Sequence, residues 1–176
     1  NNIKVKNIGS AFFNVKYVKK ALNDNNYKTL GLCRSFIVDI GGNIVCFSPP
    51  KSLQYQYFIQ DLKDSYIEEF VEGTMINMFY DTNTNDWEIT TRSTLGAKCK
   101  FNMDCDKTFR YMFLSTMNEI GLEFEDFDKN FCYSFVLQHP ENKMVIPVKT
   151  PRLVLVDVFK CNKFMVYPVS RKMFHT

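Results

Sequence analysis

Short apolar runs, separated by turn-forming residues, recur along this chain and are typical of β-strands. The clearest pair is a hairpin in which segments 33–40 and 44–47 flank the turn Gly41-Gly42-Asn43. The prolines at 49–50 end this hairpin, because proline cannot donate to a β-ladder. Three weaker segments precede or follow it: a strand or short helix at 12–18, a polar loop at 23–26, and a loop or short helix at 53–63.

The middle of the chain continues the β pattern. Segments 67–71 and 75–80 predict two strands joined by a tight turn at Gly73. The polar loop 82–86 leads to a further strand at 87–92, so this part of the chain predicts a second hairpin system.

One stretch has clear helical periodicity. Apolar residues recur every three or four positions in 107–120, with Asp106 as a suitable N-cap and Gly121 as a stop. An acidic, Phe-rich segment at 123–128 is expected to be a solvated connection rather than a metal site. The remaining strands are predicted at 131–138, 143–148, 153–159 and 164–169. The pattern predicts one α+β domain over 1–176, antiparallel and β-rich with a few helices.

Composition narrows the class of protein. The 176 residues are 45% hydrophobic and 15% aromatic, which indicates a folded core rather than a disordered chain. The net charge of +3 is too small to indicate nucleic-acid binding by itself. No apolar run reaches the roughly 20 residues of a membrane span, so no membrane partner is expected. Six scattered cysteines without a CxxC pair predict buried free thiols and an intracellular, reducing location, cytoplasmic or virus-associated.

Three motifs follow one another in a fixed order. Residues 33–39 (CRSFIVD) and 48–51 (SPPK) look like a "CRG-hydrophobic" strand and a "PFPKF" element. Residues 71–75 (VEGTM) and 87–93 (WEITTRS) are similar to "KxDGS" followed by "W-x-I-x-T-R-G". Residues 135–146 (FVLQHPENKMVI) look like "FELxxPENRIV". Together the motifs resemble the bacteriophage-type RNA ligase branch of the covalent nucleotidyltransferases, a family that shares its fold with DNA ligases and mRNA capping enzymes.

The resemblance implies a nucleotidyltransferase-like fold but not its reaction. In the family, a lysine three residues before the motif glycine attacks the α-phosphate of ATP. Counting back from Gly73 places Phe70 there, and Val136 stands where a carboxylate contacts the ribose or a metal. The nearest lysine, Lys63, has no matching context, and the family's later motifs do not occur before Thr176. We therefore expect a partial domain with no catalytic residue.

Other positions match the family's nucleotide contacts. The resemblance implies these nucleotide-binding residues: Arg34, Lys51, Glu72, Gly73, Arg92 and Lys143. It implies ATP and Mg²⁺ as cofactors if the pocket is retained, and no metal held by the protein itself.

Most of these residues, and Phe70, also have an explanation that involves no ligand. Arg34 is equally suited to an ion pair with Asp39 or Glu72, and Arg92 to an ion pair with Glu72. Lys51 is typical of a solvated loop lysine, Glu72 and Gly73 of a plain hairpin turn, and Phe70 of core filling.

Three functions are consistent with these observations. The leading hypothesis is an inactive RNA-ligase-like nucleotidyltransferase domain, acting as a binding or structural module in a viral or RNA-processing assembly. Its partners would be RNA, a nucleotide or other protein subunits. The first alternative is an active RNA ligase or capping-type enzyme that uses a lysine from elsewhere. The second is an RNA-binding module in which Lys98 and Lys100 add phosphate contacts.

Overall fold

Antiparallel pairing organises the whole molecule. The computed structural model describes residues 2–53, 67–103, 105–142, 145 and 147–171. Within these residues it contains two β-sheets, a longer α-helix and several short helical turns. The predicted α+β class, rich in antiparallel sheet with few helices, is confirmed.

The first sheet has four strands in the order in which they occur in the chain. They are β1 (Ile3–Asn7), β2 (Phe12–Tyr17), β3 (Phe36–Asp39) and β4 (Ile44–Phe47). The predicted β3–β4 hairpin is confirmed, and Gly42 in its turn has φ +80°, a conformation that favours glycine. Between β2 and β3 lie a helical turn at Lys19–Ala21, the one-turn helix α1 (Tyr27–Leu30) and a 3₁₀ turn at Gly31–Arg34.

The second sheet has five strands in the spatial order β6-β5-β7-β8-β9. They are β5 (Thr74–Asp81), β6 (Asp86–Thr90), β7 (Phe131–Gln138), β8 (Arg152–Asn162) and β9 (Met165–Val169). The β5–β6 hairpin agrees with the predicted loop at 82–86, where Asn85 adopts φ +54°. Asparagine tolerates this left-handed conformation better than most residues.

The main helix, α2 (Phe109–Glu119), covers one face of the second sheet. Its N-cap is Thr108, whose Oγ1 accepts a hydrogen bond from the Tyr111 backbone N–H, rather than the predicted Asp106. Met112 and Phe113 are fully buried against this face of the sheet. A 3₁₀ turn at Phe124–Asp126 follows the helix.

A second apolar cluster lies between the two sheets. The first sheet contributes Phe12, Ile37 and Cys46, and the second contributes Phe79, Cys132 and Phe159. The rings of Phe12 and Phe79 meet edge to face with their centroids 5.6 Å apart. The two sheets are therefore joined by packing at one end, which leaves their other end for the polar groups described below.

The cysteines agree with the prediction of free thiols. All six are free, with Cys46, Cys105 and Cys132 buried and the other three half-buried. The Sγ atoms of Cys132 and Cys161 lie 3.7 Å apart inside the second apolar cluster.

Three sequence predictions are wrong or incomplete. Segment 67–71 is not a strand, so no hairpin turns at Gly73. Strand β1 was not predicted: Ile3-Lys4-Val5-Lys6 alternates as a strand does, but the run is short and all five residues of the strand are exposed. In the predicted strand 143–148, residues 145, 147 and 148 are described and are not in a strand, while the other three lie outside the described residues. Most of the predicted loop or short helix at 53–63 also lies outside them. No helix in the described part of the chain is long and apolar enough to cross a membrane.

Candidate functional site

A row of polar side chains crosses the space between the two sheets. Side chains alternate along a strand, so Asn77 of β5 and Ser134 of β7 face away from α2 and toward the first sheet. The Asn77 Nδ2 donates to the Ser48 Oγ over 2.7 Å, and the Ser134 Oγ donates to the Asn77 Oδ1 over 2.8 Å. All three side chains are buried. Their mutual hydrogen bonds satisfy polar groups that would otherwise be costly to bury.

A carboxylate extends this row. Asp157 of β8 lies directly opposite Ser134 in the β7–β8 ladder, so both side chains project from the same face. Burial raises the pKa of Asp157 above its usual value. Among the described residues, no hydrogen bond or ion pair reaches its side chain. Sequence reasoning missed Asp157, although one acid in the apolar run 153–159 was a detectable signal.

Beside the polar row, a cleft of about 620 Å³ opens between the ends of the sheets. Arg34 and Arg92, which lie 58 positions apart in the sequence, both line it. Ser48 and Thr74 supply hydroxyl groups, and Met75 supplies apolar surface. The fold therefore brings two of the predicted nucleotide-binding residues to one cleft.

Partly buried hydrogen bonds hold Arg92 in place through its main chain. The Arg92 carbonyl accepts from the Asn14 Nδ2 at 3.2 Å and from the Ser35 Oγ at 2.9 Å. Asn14 and Ser35 belong to the first sheet and its entry turn, and Asn14 also donates to Ser35. These bonds tie the segment after β6 to the first sheet, and Ser35 directly follows Arg34 in the chain. Both arginines are thus anchored at the same corner of the cleft.

The expected ion pairs of these arginines are not found. Within the described residues, neither Arg34 nor Arg92 has a carboxylate within ion-pairing distance. The Asp39 carboxylate instead accepts from the backbone and side chain of Asn43, and Glu72 Oε1 accepts from the Val145 backbone N–H. Two guanidinium groups without carboxylate partners suit a ligand with phosphate groups.

Gly73 has a role different from the expected hairpin turn. It adopts φ +154°, and a Cβ atom there would lie 2.5 Å from Val136 Cγ1 and 2.6 Å from the Leu137 carbonyl oxygen. Only glycine permits this close approach of the chain to β7. Val136 fills the space beside it and is buried.

Phe70 is not core filling, so that interpretation is wrong. Its side chain is 87% exposed, in a segment without regular secondary structure. The ladder between β5 and β7 begins with the pair Thr74 and Leu137, so residues before Gly73 have no partner strand to hold them on the sheet.

The other predicted contacts lie apart from the cleft or outside the described residues. Lys51 is exposed, and its Nζ donates to the neighbouring Ser52 carbonyl at 2.7 Å, as expected of a loop lysine. Glu72 is half-buried and engaged with Val145. Lys143 lies outside the described residues.

Comparison with known proteins adds one relation. The chain is 29% identical over 98 residues to a protein named RNA ligase from Rhodothermus phage RM378. This similarity supports a relation to RNA ligases. The match covers 51% of this chain and 22% of the phage protein, so the chain spans well under half of that relative's length. No protein-family model matches the chain.

The relation to RNA ligases agrees with the resemblance of the three motifs. The cleft arginines lie in two of those motifs, Arg34 in the first and Arg92 in the second. The structure adds residues that no motif contained, among them Asn14, which holds the Arg92 main chain, and Asp157.

Proposed function

We propose that this domain is an RNA-ligase-related module that binds a nucleotide in the cleft without forming a bond between lysine and the nucleotide. One observation carries the proposal. Arg34 and Arg92 converge on the cleft without carboxylate partners among the described residues. The motif resemblance supports the proposal further, because it places Phe70 where the family has its nucleophile.

The lining of the cleft suits the parts of a nucleotide. The guanidinium groups of Arg34 and Arg92 offer planar, charge-assisted donors to phosphate oxygens. Met75 and Phe109 provide apolar surface for a base, and Thr74 a hydroxyl for a sugar. A volume of about 620 Å³ lies in the range of small-molecule sites.

The residues at the two key positions of the reaction argue against covalent chemistry. Formation of a phosphoramidate requires an amine with a free electron pair, which the phenyl ring of Phe70 does not have. Val136 offers no oxygen to a ribose or a metal ion. Among the described residues that line the cleft there is no carboxylate, and no group of three potential metal ligands occurs in that part of the chain. A Mg²⁺ ion would therefore enter with the phosphates of the nucleotide.

The test separates binding from catalysis. The purified protein is incubated with α-³²P-labelled ATP or GTP and Mg²⁺, and we expect no covalent label. A fluorescent ATP analogue should bind reversibly, and Arg34→Gln or Arg92→Gln should weaken that binding by about 10-fold or more, since each removes a charge-assisted hydrogen bond. Lys160→Gln, on an exposed position of β8, is the control for loss of one charge.

Two results would contradict the proposal. An acid-labile, base-stable label would show a lysine adduct and favour the active ligase or capping-type alternative. Equal nucleotide affinity in the wild type and both arginine variants would remove the cleft as the binding site.

A further inference from the structure

The inner face of the first sheet carries a group of lysines outside the cleft. In the β1–β2 ladder, Lys4 lies opposite Lys16, and Lys6 lies opposite Asn14. Residues paired in this way share a face, and alternate residues of one strand do so as well. The buried Asn14 points toward the second sheet, so Lys4, Lys6 and Lys16 lie on that side too. We call these three residues the lysine face.

The lysine face is continuous with the cleft. The Lys16 Nζ donates to the Ser93 Oγ over 2.9 Å, and Ser93 lines the cleft next to Arg92. Burial lowers the pKa of Lys16, and the like charges of Arg92, Lys6 and Lys4 lower it further. The charges of Arg92, Lys6 and Lys4 therefore all lie close enough to Lys16 to repel its charge.

No protein carboxylate offsets this repulsion among the described residues. The ion pairs found there join Lys107 to Glu141, Arg110 to Glu88 and Arg171 to Glu68. They leave the lysine face and Arg92 without a partner of opposite charge. Uncompensated cations on one surface attract an external polyanion.

We propose that the lysine face and Arg92 form a track for the phosphate backbone of single-stranded RNA, leading one end of the strand into the cleft. The track itself follows from the strand register. The choice of RNA as the polyanion rests on the proposed function.

The spacing of the track suits a single strand. Lysines two residues apart on β1 lie about 6.8 Å apart, and neighbouring strands are about 4.8 Å apart. These separations are comparable to those of successive phosphates along one nucleic-acid strand. The cleft into which the track leads has a volume of about 620 Å³, the size of a small-molecule site, so it admits one end of a strand but not a duplex. Contacts to phosphates carry no sequence information, so binding should be independent of sequence.

The experiment measures the anisotropy of a short fluorescein-labelled oligouridylate across a range of salt concentrations. Four phosphate contacts predict a slope of log affinity against log salt of about −2.8. Lys4→Gln with Lys6→Gln should make the slope less steep by about 1.4. The matched control, Lys149→Gln with Lys160→Gln, removes two exposed charges elsewhere and should leave the slope unchanged.

Three outcomes would overturn the proposal. One is an equal loss of RNA affinity in the control variant, which would indicate an effect of net charge alone. Another is equal or tighter binding of duplex RNA. The third is equal competition by polyglutamate, which would indicate an acidic protein segment as the partner.

The same variants separate this proposal from the proposed function. The double variant at Lys4 and Lys6 should keep the affinity of the wild type for the fluorescent ATP analogue. Loss of the salt slope with intact nucleotide binding supports the track. A wild type that binds the oligouridylate as predicted but not the nucleotide contradicts only the function proposed for the cleft.

Discussion

On the face of the five-stranded sheet that α2 covers, Met78 and Tyr133 are fully buried in a continuous apolar core. On the opposite face, their neighbours in the same strands, Asn77 and Ser134, form a hydrogen-bonded polar row with Ser48. The same two strands thus present an apolar surface to the helix and these polar groups to the first sheet. The alternation of side chains lets one face supply the stability that holds polar groups in place on the other.

The largest expected loss of stability follows removal of a core ring on the α2 side. Phe113→Ala should lower the free energy of unfolding by about 3–5 kcal/mol, because a fully buried ring leaves a cavity against Phe135. Urea denaturation followed by circular dichroism measures the change. Tyr111→Ala, half-exposed on the same helix, is the control and should cost far less. Equal losses of unfolding free energy in the two variants would show that the face covered by α2 does not supply the stability.

A smaller effect is expected on the polar face. Asn77→Ala should cost about 1–3 kcal/mol, because it leaves the Ser48 and Ser134 hydroxyl groups without partners. Comparison with Ser134→Ala and the double variant, again by urea denaturation, measures the coupling. Strictly additive costs would show that the row does not act as a network.

A change of opposite sign is expected at Asp157. Burial raises its pKa in the folded state above the ordinary 3.8, so the folded protein takes up the proton more readily than the unfolded chain. The stability contributed by this group is full below pH 3.8 and is lost as the pH rises through the folded-state pKa.

Asp157→Asn should therefore raise the stability at neutral pH, by an amount on the order of 1 kcal/mol for a half-buried charge. The gain should shrink as the pH falls toward the ordinary pKa of Asp. Thermal unfolding of both proteins at a series of pH values measures it. A variant that is less stable at neutral pH would indicate a favourable partner for the carboxylate.

The smallest effect is expected at Phe70, in the irregular segment before β5. Phe70→Ala should change the free energy of unfolding by less than about 0.5 kcal/mol, because its ring is almost fully exposed. Urea denaturation measures the change. A loss of unfolding free energy as large as that of Asn77→Ala would mean that the Phe70 ring packs against the rest of the protein in solution.

Local signals account for the parts of the fold that the sequence predicted. The Gly41-Gly42-Asn43 turn and the helical periodicity of 107–120 both depend on neighbours in the chain. Strand β1 alternates apolar and lysine residues but buries none of them, so its place in the sheet depends on pairing with β2. Segment 67–71 shows the reverse case: it has strand-like residues, but no partner strand accepts it.

The candidate site likewise contains residues that the sequence identified and residues that it did not. Motif spacing identified Arg34 and Arg92, which the fold brings to one cleft. Lys16 and Asp157 were not identified as site residues, because their significance comes from the residues opposite them in neighbouring strands. Such register information cannot be extracted from one sequence.

Strand β1 has a consequence for the state of the protein in solution. It is the outer strand of its sheet, so one side of its backbone offers hydrogen-bonding groups to which another copy of the chain could add a strand. Lysines at alternate positions oppose such pairing, because two copies would bring like charges together. We therefore expect Lys4 and Lys6 to oppose self-association at this edge, in addition to their proposed contacts with a polyanion. A variant without them should self-associate at lower protein concentration, which light scattering would detect.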